Sequence, residues 1–173
     1  MLRNTLLALT LALGFGGGAF AGEEYVDKTG FGASGYDVVS YFSLQQSSIG
    51  TPQASPLAGK ASLVAEYNGA KFAFATPDNL ALFTEDPAKF APQFDGHCAY
   101  GVSKGGKVPG NPTLWRIVDG KLYLNITKNV VGFWEADIPG NINLAGGNWG
   151  SLESKAASND IIPNFSSAAP AAN

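Results

Sequence analysis

Glu66-Tyr67-Asn68-Gly69-Ala70-Lys71-Phe72-Ala73-Phe74-Ala75-Thr76-Pro77-Asp78-Asn79 carries a hairpin and a helix start in one uninterrupted run. Asn68-Gly69 is a dipeptide that two-residue hairpin loops favour, because both central residues need positive φ. It separates two strand-like segments, Ala61–Tyr67 and Lys71–Ala75. Phe72 and Phe74 fall on one strand face; Ala73 and Ala75 fall on the other, where their small size leaves room for close packing. Thr76 is placed to cap the exposed N–H groups of a helix, Pro77 suits its first position, and Asp78 lies at the positive end of its dipole. Leu80 and Phe83 continue the apolar stripe.

The same form recurs downstream. Leu114–Val118 and Lys121–Asn125 flank Asp119-Gly120, and Thr127 opens a helix to about Ala136 with Val130, Val131, Phe133 and Trp134 on a broad apolar face. Pro139-Gly140 breaks it, and Asn141–Ala157 contains a further helix, loosened at Gly146-Gly147, with Leu144, Trp149 and Leu152 inward. Between the two units, Asp86-Pro87 repeats the helix-start signal for a short turn to Phe90, which Pro92 ends. Upstream, Tyr36–Phe42 offers Val38, Val39, Tyr41 and Phe42 to the core, and Leu44–Gly59 reads as a surface loop. The order of elements predicts an α+β fold: a small antiparallel sheet of two hairpins, packed with short helices on one face.

The first residues read as a signal peptide. Arg3 precedes the apolar run Leu6–Leu13, and Ala19-Phe20-Ala21 gives the small-residue pattern a signal peptidase accepts before Gly22. The apolar run is short for a spanning helix, and Gly14, Gly16, Gly17 and Gly18 weaken it. The expected organisation is a signal peptide over 1–21, a leader over 22–34 draped on the domain, a domain over 35–158, and a flexible tail over 159–173 with an anchor at Ile161-Ile162 or Phe165. The expected location is periplasmic or extracellular. No later stretch suits stable membrane insertion. The formal charge of −3, with no basic patch, gives no nucleic-acid surface.

Candidate chemistry centres on Asp95-Gly96-His97-Cys98-Ala99-Tyr100. Cys98 is the only cysteine, His97 the only histidine, and Met1 the only methionine. An intrachain disulfide and a Cys-rich zinc site are thereby excluded, and the thioether of a blue-copper site is missing from the processed chain. A thiolate beside an imidazole still offers two common ligands for copper or zinc, provided Gly96 allows a turn that brings both to one ion. Asp37, Asp95, a backbone group or water would complete the set. Two other readings stand beside this one: a buried packing thiol with a satisfied histidine, and a reactive thiol able to form sulfenic acid or a disulfide-linked homodimer. Cysteine hydrolase chemistry is disfavoured, since adjacent residues rarely align thiol and imidazole. Glu23-Glu24 lie in the leader, Glu66, Asp78, Glu85 and Asp86 read as solvated or capping groups, and nothing in the sequence pairs any two carboxylates. Lys104-Gly105-Gly106-Lys107 lacks the spacing of a phosphate loop. Trp115, Trp134 and Trp149 read as core. Asn125, Asn129, Asn141, Asn143 and Asn148 could organise a polar network at a helix junction.

The chain resembles secreted YHS-domain proteins. The likeness runs through Gly35-Tyr36-Asp37-Val38-Val39-Ser40-Tyr41-Phe42, Tyr67–Phe74, Asn79 with Phe83, Asp86–Ala99, Lys121–Asn125 and Asn148-Trp149, and covers roughly 35–152. It implies a YHS-like core related to treble-clef modules that hold metals through cysteines. Where the metal-handling forms carry a cysteine after a D-P-V run, this chain has Asp37-Val38-Val39-Ser40 and no cysteine. His97-Cys98-Ala99 matches the G-x-C-A motif of the secreted group. The resemblance therefore points to Asp37, His97 and Cys98 as metal ligands. The leading expectation is a non-enzymatic module binding one copper or zinc ion there. The alternatives are a structural or protein-binding module with a packing cysteine, and a pocket enzyme or small-ligand binder.

Overall fold

The computed structural model describes residues 22–170; the signal-peptide reading of 1–21 lies outside them. The two hairpins form as expected. Strand β1 (Lys60–Tyr67) pairs antiparallel with β2 (Ala70–Phe74), and β3 (Asn111–Val118) with β4 (Lys121–Asn125). Asn68 and Gly69 have φ of 48° and 76°, and Asp119 and Gly120 have 49° and 72°, the left-handed pair that a tight hairpin loop requires. Each ladder breaks register once, between Lys60 and Val64 and between Asn111 and Trp115.

Helix α1 (Pro77–Glu85) starts where Thr76 accepts the Asn79 N–H at 3.1 Å, and α2 (Pro87–Phe90) follows Asp86, whose carboxylate accepts the Lys89 N–H. A short helix that the sequence reading did not anticipate, α3 (Ala99–Ser103), follows Cys98. Helix α4 (Lys128–Glu135) is capped by Thr127 and α5 (Ile138–Leu152) by Asp137.

Several expectations are corrected here. The hairpins form two separate two-stranded sheets rather than one. The segment 36–43 serves a core on each: Val38 and Val39 join Phe72, Phe74, Phe83 and Phe90, while Tyr41 joins Trp115, Leu122 and Leu124. Each hairpin thus buries its apolar face without edge pairing to the other. Helix α5 begins at Ile138 instead of Asn141, because Pro139 in a first turn opens a helix as readily as it ends the previous one. It stays helical through Gly146-Gly147. Ala145 takes the buried position there, leaving Leu144 51 % exposed, and on α4 Trp134 is buried while Phe133 is 60 % exposed.

The ends pack back onto the domain. Tyr25 is buried and its N–H donates to the Asp95 carbonyl at 2.7 Å. Residues 159–170 have no regular structure, yet Ile162 is buried and the Ala168 N–H donates to Ser34 O at 3.0 Å.

Phe83 is the centre of the first core, with ring centroids 6.0, 5.2 and 4.9 Å from Tyr67, Phe72 and Phe74. Phe83→Ala should cost about 3–5 kcal/mol in denaturant unfolding; a loss under about 1 kcal/mol would contradict this placement.

Candidate functional site

The His97–Cys98 pair is aimed by a left-handed turn. Phe94, Asp95 and Gly96 all have positive φ, at 57°, 50° and 73°. For Phe94 and Asp95 this conformation costs on the order of 1–2 kcal/mol each. Backbone bonds around the turn offset it. Phe94 O accepts the His97 N–H at 2.9 Å, Asp95 O accepts the Tyr25 N–H, and Gly96 O accepts the Gly110 N–H at 3.0 Å.

Gly96 thus provides the turn that a shared site would need, but the two side chains leave it toward different partners. His97 Nδ1 lies 2.9 Å from Phe94 O, and only a donor fits beside a carbonyl, so Nδ1 carries the proton. Nε2 accepts the Ser158 N–H at 3.1 Å. Both ring nitrogens are used, and the ring is fully buried against Tyr25 and Trp149. Cys98 is also fully buried and forms no disulfide. Its Sγ accepts the Gly101 N–H at 3.4 Å, which makes it the cap of α3, and donates to Asn125 Oδ1 at 3.5 Å. That same amide oxygen accepts the Tyr100 N–H at 3.2 Å. Burial pushes the thiol upward, away from the thiolate a nucleophile or metal ligand needs, although nearby backbone N–H groups pull the other way.

Asp37 belongs to a separate hydrogen-bond set. Its Oδ1 accepts the N–H groups of Val39 and Ser40 at 3.0 and 3.2 Å, and its Oδ2 accepts the Ala75 N–H at 2.8 Å and Asn79 Nδ2 at 2.7 Å. It staples the 3₁₀ turn Ser40–Ser43 to the junction of β2 and α1. Among the described residues, no group of three or more His, Cys, Asp and Glu side chains is arranged to hold a metal ion.

Of the five asparagines, Asn141 and Asn148 meet at the helix junction. Asn141 Nδ2 donates to the Phe133 and Trp134 carbonyls while its Oδ1 accepts from Ser103, and Asn148 Nδ2 donates to the Val102 and Ser103 carbonyls at 3.0 and 3.1 Å. These bonds tie α5 to α3 and α4.

Two charged groupings escaped sequence reasoning. Arg116 and Glu135 form a buried ion pair, with Nε 3.0 Å from Oε1; Glu135 Oε2 also accepts the Gly50 N–H and Arg116 Nη1 donates to Ser47 O. The pair pins the 44–59 loop, and it occupies the carboxylate that lines the cleft between Gly50–Gln53 and α4. The second grouping is Glu24 with Asp95. Both lie beside Trp149 and Tyr67, and Glu24 Oε1 and Asp95 Oδ2 are buried without a hydrogen-bond partner among the described residues. Burial and their mutual repulsion hold Glu24 well above the ordinary carboxylate range; burial raises Asp95, against the pull of Lys107. No spacing signal linked positions so far apart in the chain.

No family model, curated protein or solved structure matches this chain.

Burial holds His97 down at about 4, from an ordinary value of 6.5, with Lys107 adding to the effect and the Phe94 carbonyl opposing it. The unfolded chain therefore takes up this proton first. The histidine's contribution to stability is complete above about pH 6.5 and is lost as pH falls toward about 4. His97 is the only histidine, so its ring protons can be followed alone by NMR. They should titrate near pH 4, and a midpoint near 6.5 would contradict the buried neutral ring. The stability difference between the natural chain and His97→Gln, which cancels the opposing titration of Glu24, should shrink over the same window.

Proposed function

We propose that this chain acts outside the cytoplasm as a non-enzymatic structural or protein-binding module, in which His97 and Cys98 serve packing rather than chemistry. One observation carries the reading: both His97 ring nitrogens and the Cys98 sulfur have internal hydrogen-bond partners. A site that takes up a ligand usually keeps a donor or acceptor free for it, and a thiol raised by burial resists the ionisation that metal binding needs. The export reading comes from the signal-peptide pattern of residues 1–21, and the kinship with secreted YHS-domain proteins, including a treble-clef-related core, comes from the motifs of residues 35–152. Both belong to the proposal. No described helix is long and apolar enough to cross a membrane.

The protein-binding arm is favoured by Phe133. It stacks on Tyr100 with ring centroids 5.8 Å apart and still turns most of its surface outward, and Lys104 lies over the Tyr100 ring. Exposed aromatic rings are common interface anchors. A partner protein, or a second copy of this chain, would seat there.

The copper or zinc reading requires His97 to release Ser158 and Cys98 to release Asn125 before either could ligate. Titration of the reduced chain with Cu(I), Cu(II) and Zn(II) against a competing chelator separates the two. The packing reading expects no one-to-one binding tighter than roughly micromolar. Tight stoichiometric binding, lost in both Cys98→Ser and His97→Ala, would overturn it and establish metal handling.

A further inference from the structure

Glu24 and Asp95 pose an electrostatic problem that the described side chains leave unsolved. Glu24 is only 5 % exposed, and its Oε1 and the Asp95 Oδ2 have no hydrogen-bond partner among the described residues. Asn68 Nδ2 donates to the other Asp95 oxygen at 3.2 Å. The Lys107 charge acts on both carboxylates, but its Nζ donates to the carbonyls of Glu153 and Lys155 at 3.3 and 2.7 Å and lies over the Trp149 ring, with no hydrogen bond to Asp95 Oδ2. A buried carboxylate oxygen left without a partner is costly. The site lacks a strong donor at Asp95 Oδ2.

Gly22 lies at that oxygen. It is buried, and a side chain there would overlap Asp95 Oδ2 and the Glu153 carbonyl. The contact places the Gly22 nitrogen, two bonds from such a Cβ, within about 5 Å of the unpartnered oxygen. The residues that follow are fixed to the same shell. Glu23 accepts the Ala157 N–H at 3.2 Å, and Tyr25 donates through its N–H to Asp95 O and through its hydroxyl to Asp160 O. Gly22 is also the residue that follows Ala19-Phe20-Ala21, the pattern read as a peptidase site.

We propose that cleavage between Ala21 and Gly22 completes the fold: the Gly22 α-ammonium it creates pairs with the Asp95 carboxylate. A signal peptidase adds water across the Ala21–Gly22 peptide bond. Ala21 leaves as the carboxylate of the released peptide, and the Gly22 nitrogen becomes an –NH₃⁺ at neutral pH. In the uncut chain that nitrogen is a neutral amide tied to Ala21. Once freed, it turns about the Cα–C bond of a residue with no side chain in the way, toward Asp95 Oδ2 and the Glu153 carbonyl. Glycine is needed here because any Cβ would fill the space the ammonium takes. The inference rests on the export reading and is independent of what His97 and Cys98 do.

The test compares the product processed by an exporting host with a chain that begins at Gly18, each with Asp95 and with Asp95→Asn. Intact mass should place the first residue of the processed product at Gly22. Asp95→Asn should lower its thermal midpoint by about 4 °C or more, and that of the extended chain by less than half as much. An equal loss in both chains would overturn the pairing, as would a processed product that begins elsewhere. So would a rise in midpoint with Ca²⁺ or Mg²⁺ that Asp95→Asn abolishes in both chains, which would assign the site to a divalent cation. Should Asp95→Asn fail to fold, acylation of the α-amine decides. It should run at least about tenfold slower on the folded Gly22 chain than on the Gly18 chain, whose amine is extended into solvent; equal rates would overturn the pairing. Neither readout involves Cys98, so failure here leaves the packing reading untouched.

Discussion

Burying an imidazole and a thiol side by side obliges the protein to supply a partner for each polar atom they carry, and the rest of the architecture follows from how it does so. The Asn125 amide oxygen at the end of β4 receives both the Cys98 thiol and the Tyr100 N–H, so the second hairpin is joined to α3 through one side chain. The Ser158 N–H reaches His97 from beyond the end of α5, so the descending chain closes over the ring. Cys98 itself caps α3, and α3 is the element against which α5 packs through Asn141 and Asn148. Removing either partner would expose a desolvated polar atom, which costs more than the bond contributes when made.

The left-handed turn at 94–96 is the counterpart of this arrangement. Two non-glycine residues are held in an unfavourable conformation, and the restraint comes from segments far away in sequence: Tyr25 near the start of the described chain and Gly110 at the entrance to β3. The segment 22–34 is therefore part of the fold's closure. Asp37 plays the matching role on the first hairpin, with four donors gathered on one carboxylate from Val39-Ser40, the β2–α1 junction and α1. The Arg116–Glu135 pair fixes the long 44–59 loop to the second unit. Polar groups concentrate at the joints between apolar clusters, where they specify which surfaces meet.

Local signals made much of this legible. Asn68-Gly69 and Asp119-Gly120 announce their hairpins because only a few dipeptides tolerate two left-handed residues, and Thr76, Asp86 and Thr127 mark helix starts because their side chains accept the orphan N–H groups. Pro139 was ambiguous for a physical reason: the same ring that stops one helix fits the first turn of the next. The unexpected helix α3 has a cysteine as its cap, a residue outside the usual capping set. Asn141 and Asn148 of α5 bond α3 and α4, contacts that periodicity alone does not carry, and Phe133 and Leu144 turn outward. The meetings of Glu24 with Asp95 and Arg116 with Glu135 join positions far apart in the chain, and no spacing rule reaches that far. His97, Cys98 and Asp37 were singled out for their chemistry, and each proves to anchor a joint. A hydrogen-bonding side chain carries the same sequence signal whether its partner is a ligand or the protein's own backbone.

The central claim is that Cys98 is sealed by its hydrogen-bond partners and opens only with the whole domain. The rate at which a thiol reagent modifies Cys98, followed across a denaturant series, tests this most directly. The packing account expects slow labelling in native buffer, rising with denaturant along the same slope as global unfolding. Fast labelling in native buffer that ignores denaturant would contradict it and mark Cys98 as a reachable, working thiol.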